Sequence, residues 1–176
     1  MKSLSLNKNW LSVLQMFAAV SKNYMNPLKA SGVSVSDACK TVFDEVKKAK
    51  KHRYVVFVIK DDVMIDVEAI GDRDATYEDF VTDIQKAGKG MCRYGLFDYE
   101  YLHAVQGAAE PTKKQKLFLM LWCPDEAKIK AKMLYSSSFD ALKKALTGVA
   151  KYVEATDSSE ISKEEVENKL RQNDRM

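Results

Sequence analysis

Cysteine, histidine, proline and glycine are all scarce here: the 176 residues hold 3 Cys, 2 His, 3 Pro and 7 Gly. Cys39, Cys92 and Cys123 are odd in number, far apart, and form no CxxC. That argues against a disulfide framework or a zinc module and favours a reducing compartment. With 46% hydrophobic residues and so little Gly and Pro, the chain is not collagenous, low-complexity or broadly disordered. It is long enough to bury an apolar core without staples. No apolar run reaches the ~18 residues that a membrane span needs, so no stable membrane insertion is expected. Asn-x-Ser/Thr sequons, HExxH and GxxxxGK[ST] are all absent, and Gly88-Lys89-Gly90 lacks the rest of a dinucleotide fingerprint.

Acid is missing locally. Residues 1–36 contain none, the first being Asp37, whereas residues 1–29 hold Lys2, Lys8, Lys22 and Lys29. The chain carries 28 Lys+Arg against 25 Asp+Glu, so residues 30–176 are balanced at a net of −1. A general nucleic-acid binder driven by phosphate neutralisation is not expected, and an anionic partner must meet a local basic patch. Within residues 10–20, nine of eleven are apolar, with lysines on both sides and Pro27 after them. A short signal-peptide core, an acid-free targeting presequence, an alternative first exon or misassigned start, and a loosely attached helix all fit this segment. The cytosolic look of the remainder disfavours the first. The lack of arginine before Arg53 disfavours a mitochondrial presequence.

From Ser36 onward, periodicity takes over. Cys39, Val42, Phe43 and Val46 fall at i, i+3, i+4, i+7 and predict a helix with a basic end at 47–51. Residues 54–59 are six apolar residues in a row, predicting a strand buried on both faces. Residues 63–68 alternate and predict a half-exposed strand, joined to the first by an Asp61-Asp62 turn. Thr76 precedes a second helix on Tyr77, Phe80, Val81 and Ile84, ended by Gly88 and Gly90. Residues 92–99 read as a strand, 107–116 as a polar loop and 117–122 as another central strand. A Lys-rich helix follows from about Asp125. A separate short helix on Phe139, Leu142, Ala145 and Leu146 follows a break at Ser136-Ser137-Ser138. Residues 152–155 predict a short strand, and Ser162 with Glu165 a capping box before a last helix to about Arg171. Two strands with no polar face need cover on both sides. The expected fold is therefore a three-layer α/β domain, a mixed sheet sandwiched by helices.

Little in the chain nominates catalysis. His52, in Lys-Lys-His-Arg, reads as part of a solvated helix end, and His103 has no triad or metal pattern around it. Cys123 reads as a small apolar residue at a strand end, and Asp61-Asp62 as a turn. No enzyme, cofactor or metal site is expected. The unusual segment is 125–138. On a helix, Ile129 and Met133 stack at i, i+4, and Lys128 and Lys132 form a second row with Lys130 between them. Two readings fit: a surface helix whose Ile129 and Met133 face the core, or a docking helix whose apolar pair enters a cleft while lysines meet an acidic rim.

These residues, with Ala30-Ser31-Gly32-Val33, Val35-Ser36-Asp37, Lys47-Lys48-Ala49-Lys50-Lys51, Cys92-Arg93-Tyr94-Gly95-Leu96-Phe97-Asp98, Trp122-Cys123-Pro124-Asp125, Lys130-Ala131-Lys132-Met133-Leu134-Tyr135 and Phe139-Asp140-Ala141-Leu142, resemble the actin-depolymerising factor/cofilin family. The match is collinear over 30–176 and most resembles the insect cofilins. It implies an N-terminal extension, 1–29, followed by an ADF-homology domain, 30–176. It further implies binding of G-actin and F-actin, with severing and depolymerisation of filaments, in the cytoplasm and cytoskeleton. A coactosin-like filament binder without severing is the alternative. The resemblance assigns actin contacts to Ser31, Gly32 and Val33, to Ile129, Lys130, Lys132 and Met133, and, on a filament-specific surface, to Lys114, Lys116, Lys169 and Arg171. It makes Ser31 the target of a regulatory kinase and phosphatase. Lys130, Lys132, Lys143 and Lys144 become ligands for phosphoinositide headgroups, and Lys47, Lys48, Lys50 and Lys51 a nuclear localisation signal. Family members begin near the equivalent of Ala30, so the 29 preceding residues depart from the pattern.

Overall fold

The computed structural model describes residues 32–104, 110–172 and 174, all within one compact unit, Ser31–Met176. The N-terminal segment 1–29 and Ser31 lie outside the described residues. In chain order the elements are β1 (Ser34–Val35), α1 (Asp37–Lys47), β2 (His52–Lys60), β3 (Met64–Asp72), α2 (Tyr77–Gln85), β4 (Arg93–His103), β5 (Thr112–Trp122), α3 (Ile129–Ala145), β6 (Lys151–Ala155) and α4 (Lys163–Arg171). The strands form one mixed sheet in the order β1-β3-β2-β4-β5-β6. Its interior pairs are antiparallel, while β1 joins β3 and β6 joins β5 in parallel.

Strand alternation sends the two halves of each strand's side chains to opposite faces. Register lines up Val55, Leu96 and Leu119 across β2, β4 and β5 on one face, and Tyr54, Phe97 and Phe118 on the other. The first face is covered by Cys39, Val42, Phe43 and Val46 of α1 and by Tyr135, Phe139 and Leu142 of α3. The second is covered by Tyr77, Phe80 and Ile84 of α2 and by Val166 and Leu170 of α4. The three expected layers are present. Gly95 is needed in β4 because a Cβ there would lie 2.5 Å from the Phe80 ring, so only hydrogen lets α2 seat on the sheet.

Local chemistry fixes the element ends. Ser36 caps α1 by accepting from the Cys39 amide, and Thr76 with Asp79 forms a reciprocal capping box on α2. On α4 the Ser162 hydroxyl accepts from the Glu165 amide. The β2–β3 turn puts Asp61 and Asp62 at φ 51° and 58°, the left-handed pair that matches the twist of a hairpin.

Several boundaries differ from the sequence expectation: β1 is added, β3 runs on to Asp72 and β4 to His103. Residues 136–138 do not break the helix: α3 runs unbroken for 17 residues. The hydroxyls of Ser137 and Ser138 donate back to the Leu134 carbonyl at 3.1 and 2.6 Å and so satisfy themselves within it. The same helix starts at Ile129, not near Asp125. Residues 112–116 belong to β5, because their polar side chains find charged partners across β4. His52 opens β2 rather than ending α1 and contacts Glu45 at 3.2 Å.

Candidate docking surface

The first turn of α3 is built against its own stability. A helix N-terminus carries unsatisfied N–H groups and a partial positive charge, which favour an acidic first turn and a side-chain cap. Here the N-cap is Lys128, which makes no side-chain capping bond, and no acid occupies the first turn. Lys128, Lys130 and Lys132 instead add cations at the positive end. Ile129 and Met133 are 77% and 68% exposed. The core-facing reading of this pair is thereby excluded, since the buried stripe of α3 is Tyr135, Ser138, Phe139 and Leu142.

The opposite side of α3 holds it firmly to the sheet. Pairing of β2 with β4 ends at Phe57, and beyond it the Ile59 amide donates to the Tyr135 hydroxyl at 3.0 Å. The Tyr94 hydroxyl donates to the Tyr135 carbonyl at 2.6 Å, and its ring stacks on Phe139 at 5.6 Å. A polar bond in the helix and one at the edge of the ladder thus fix the rotation that points Ile129 and Met133 outward.

Met91, 46% exposed, lines a cavity with Lys128 and Lys130, and the β2–β3 hairpin, whose Asp62 reaches Lys130, exposes Val63 and Met64 at 58% and 36%. The Lys130 ammonium meets the Asp62 carboxylate at 2.7 Å, and the bond and charge of Asp62 raise the lysine above its ordinary value. Lys132 lies 3.6 Å from Asp125. Gly32 is exposed, but Val33 is 2% exposed and packs into the core. Val33 therefore anchors the start of the domain in the core.

A second basic group forms at the β4–β5 end. Asp174 gathers Lys116 at 2.8 Å, Lys114 at 3.1 Å and the Tyr101 hydroxyl at 2.7 Å. Burial would raise this carboxyl, but the bonds from Lys116, Tyr101 and Lys114 prevail and hold it well below the usual range. Arg171 lies over the Tyr101 ring at 4.6 Å and bonds Glu167 and the Leu102 carbonyl. Lys114, Lys116 and Arg171 are therefore brought together, whereas Lys169 pairs with Glu165 at 3.6 Å on α4.

The other basic sets are distributed differently. Lys130 and Lys132 stand at the start of α3, and Lys143 and Lys144 at its end, roughly 20 Å further along the axis at 1.5 Å per residue. These four lysines do not form one pocket. Lys143 is engaged with Asp140 at 3.2 Å and lies 4.2 Å from the Phe139 ring centroid. In the run 47–51, Lys47 donates to the Thr147 carbonyl, and Lys48, Lys50 and Lys51 pair with Asp44, Asp98 and Glu45.

No docking role was read for Val63, Met64 or Met91 from the sequence alone. A hydrophobic residue directly after the polar Asp61-Asp62 turn, and another directly after Gly88-Lys89-Gly90, were the available signals.

The α/β domain is thus a helix-covered mixed sheet that turns an apolar pair and a row of lysines outward at the start of α3. Residues 32–171 match the family described as cofilin/tropomyosin-type actin-binding protein, and the chain belongs to that family. It is similar to actin-depolymerizing factor 4 of Oryza sativa subsp. japonica, with 37% identity over 143 residues, 81% of this chain and 97% of the relative. It is also similar to actophorin of Acanthamoeba castellanii, with 40% identity over 142 residues, 80% and 96% of the two chains. The solved cofilin of Streptomyces griseoflavus superposes with a TM-score of 0.68 at 37% identity, covering 79% of this chain and 97% of that one.

Proposed function

We propose that this protein binds monomeric and filamentous actin and severs and depolymerises filaments. Ile129 and Met133 enter a cleft on actin while Lys130 and Lys132 meet its acidic rim. The observation that carries this reading is the outward apolar pair on an uncapped, cation-bearing helix start. A free protein has no use for that combination, whereas an anionic partner satisfies both the lysines and the N-terminal N–H groups. Gly32 provides a second contact beside it. Lys114, Lys116, Lys169 and Arg171 form the surface used only on the filament. Docking favours a differently twisted filament, so each bound copy shifts the filament population and weakens junctions with bare segments.

Charge also supplies the regulation. A phosphate on Ser31, added by a kinase and removed by a phosphatase, brings nearly two negative charges beside an acidic partner and repels it. Phosphoinositide headgroups compete for Lys130 and Lys132, with Lys143 and Lys144 serving as a separate contact. The lysine run 47–51 supports a nuclear as well as a cytoplasmic and cytoskeletal location.

The decisive experiment is the double reversal Lys130→Glu with Lys132→Glu. Monomer affinity in a fluorescence titration falls at least about tenfold, the loss of about 1.4 kcal/mol or more, while circular dichroism stays native. Unchanged affinity would sink the proposal. Direct visualisation of single filaments then separates severing from coactosin-like binding, in which filaments are decorated but remain whole.

A further inference from the structure

Two of the three cysteines meet beneath the start of α3. Cys92 stands one residue before β4 and Cys123 one residue after β5, and the register Arg93↔Trp122 sets them opposite each other. Both are free and buried, with their Sγ atoms 3.0 Å apart. The Cys123 amide donates to the Ala155 carbonyl on the β6 side at 2.9 Å. Its backbone polar groups therefore point away from β4, and the two cysteines form a pair of the non-hydrogen-bonded kind, whose Cα atoms lie about 4.5 Å apart in antiparallel sheets. That is within the ~4.4–6.8 Å a disulfide spans, and the sulfurs need to close by only about 1 Å. Cys39 instead contacts the Ser36 hydroxyl and the Ile65 carbonyl.

We propose that Cys92 and Cys123 are an oxidative modification site, which a peroxide closes into an intramolecular disulfide stapling β4 to β5 beneath α3. Cys123 reacts first. It is 7% exposed against 2% for Cys92. Its sulfur takes one peroxide oxygen, the O–O bond breaks, and the other oxygen leaves as water, giving a sulfenic acid. The Cys92 sulfur then attacks that sulfur, the S–O bond breaks, and the hydroxyl leaves with the Cys92 proton as a second water. Two thiols lose two electrons in all, and the peroxide gains them.

Burial, helped by the neighbouring Cys123, pushes the Cys92 thiol up to about 12. Little Cys92 thiolate exists near neutrality, so the closing attack on the sulfenic acid is slow. The bond closes a loop between residues 31 apart in sequence, and it raises Tm by roughly 5–10 °C.

The test treats the full chain with hydrogen peroxide, blocks remaining thiols, and measures intact mass and a non-reducing peptide map. The expected result is a monomer lighter by two hydrogens, a single crosslinked peptide pair containing Cys92 and Cys123, Cys39 still alkylatable, and a higher Tm that reductant reverses. A crosslink through Cys39, a linkage between chains, oxygen added at Cys123 without a crosslink, or no reaction would each overturn the proposal. The variants Cys92→Ala and Cys123→Ala, checked for native circular dichroism, lose the crosslink. In Cys92→Ala the lone Cys123 accumulates oxygen instead; an unmodified Cys123 there counts against its reacting first. The wild-type peptide map decides the matter even if a variant fails to fold. None of these readouts involves actin, so their failure is separable from failure of the function proposed above.

Discussion

Glu100 on β4 accepts from Arg73 at 2.7 Å, Arg53 at 3.0 Å and Lys113 at 2.6 Å. Its neighbour Asp98, 1% exposed, takes Lys50 and Arg73 on the same face. The bond from Lys113 leads the effects on Glu100; burial opposes it, the bonds and charges of Arg53 and Lys113 add to it, and the carboxyl falls to about 2 from 4.5. A depressed carboxylate stabilises the fold above its unfolded value, and this contribution is lost as pH falls through the folded value, because the unfolded chain binds the proton first. After allowance for solvent screening it amounts to about 1–2 kcal/mol. Urea unfolding of the wild type and Glu100→Gln therefore differs by that amount near neutrality and converges between pH 4.5 and about 2. Equal acid profiles would show that the pairing adds nothing. In the same residue-scale logic, Asp98→Ala removes a buried acceptor from Lys50 and Arg73, which keep solvent or Glu100, and costs about 1–3 kcal/mol, measured by the same unfolding.

At the scale of the element, the start of α3 lacks a side-chain cap and an acidic first turn. Lys128→Asp supplies the missing cap and an anion at the positive helix end, so the free protein gains about 0.5–2 kcal/mol in thermal or urea unfolding. The same change weakens actin binding, and a variant that gained on both counts would remove the reason for an uncapped start. Tyr135→Phe strands the Ile59 amide and costs about 1–3 kcal/mol. Because it loosens the seating of α3, it also lowers monomer affinity. The legibility of these elements followed their surroundings. Residues 54–59 and 117–122 were readable because strands buried on both faces have no polar side to confuse the pattern. The helices α1 and α2 were readable from caps and spacing. The continuity of α3 was not, because the Leu134 carbonyl that absorbs two serine hydroxyls exists only once the helix has formed. Nor was the length of β5, whose polar start depends on Asp98 and Glu100 of β4 and on Asp174. The spacing of Ile129 and Met133 fitted core and surface equally, and only the position of Tyr135 under the helix separated the two.

For the molecule as a whole, the unit Ser31–Met176 carries both basic groups and both core layers. A chain beginning at Ala30 is therefore expected to sever at least as well as the full chain in single-filament imaging, and a clearly weaker truncated protein would contradict this. The parallel seating of β6 against β5 also has a bearing on synthesis. The hairpins β2–β3 and β4–β5 can zip as soon as they emerge from a ribosome. The outer partner of β5 arrives only after the whole of α3 has been made, and until then the apolar stretch 117–122 has one edge bare and one face uncovered. Ladders that await distant partners close slowly and leave sticky intermediates. Nascent chains paused before β6 should thus be the species that chaperones hold longest.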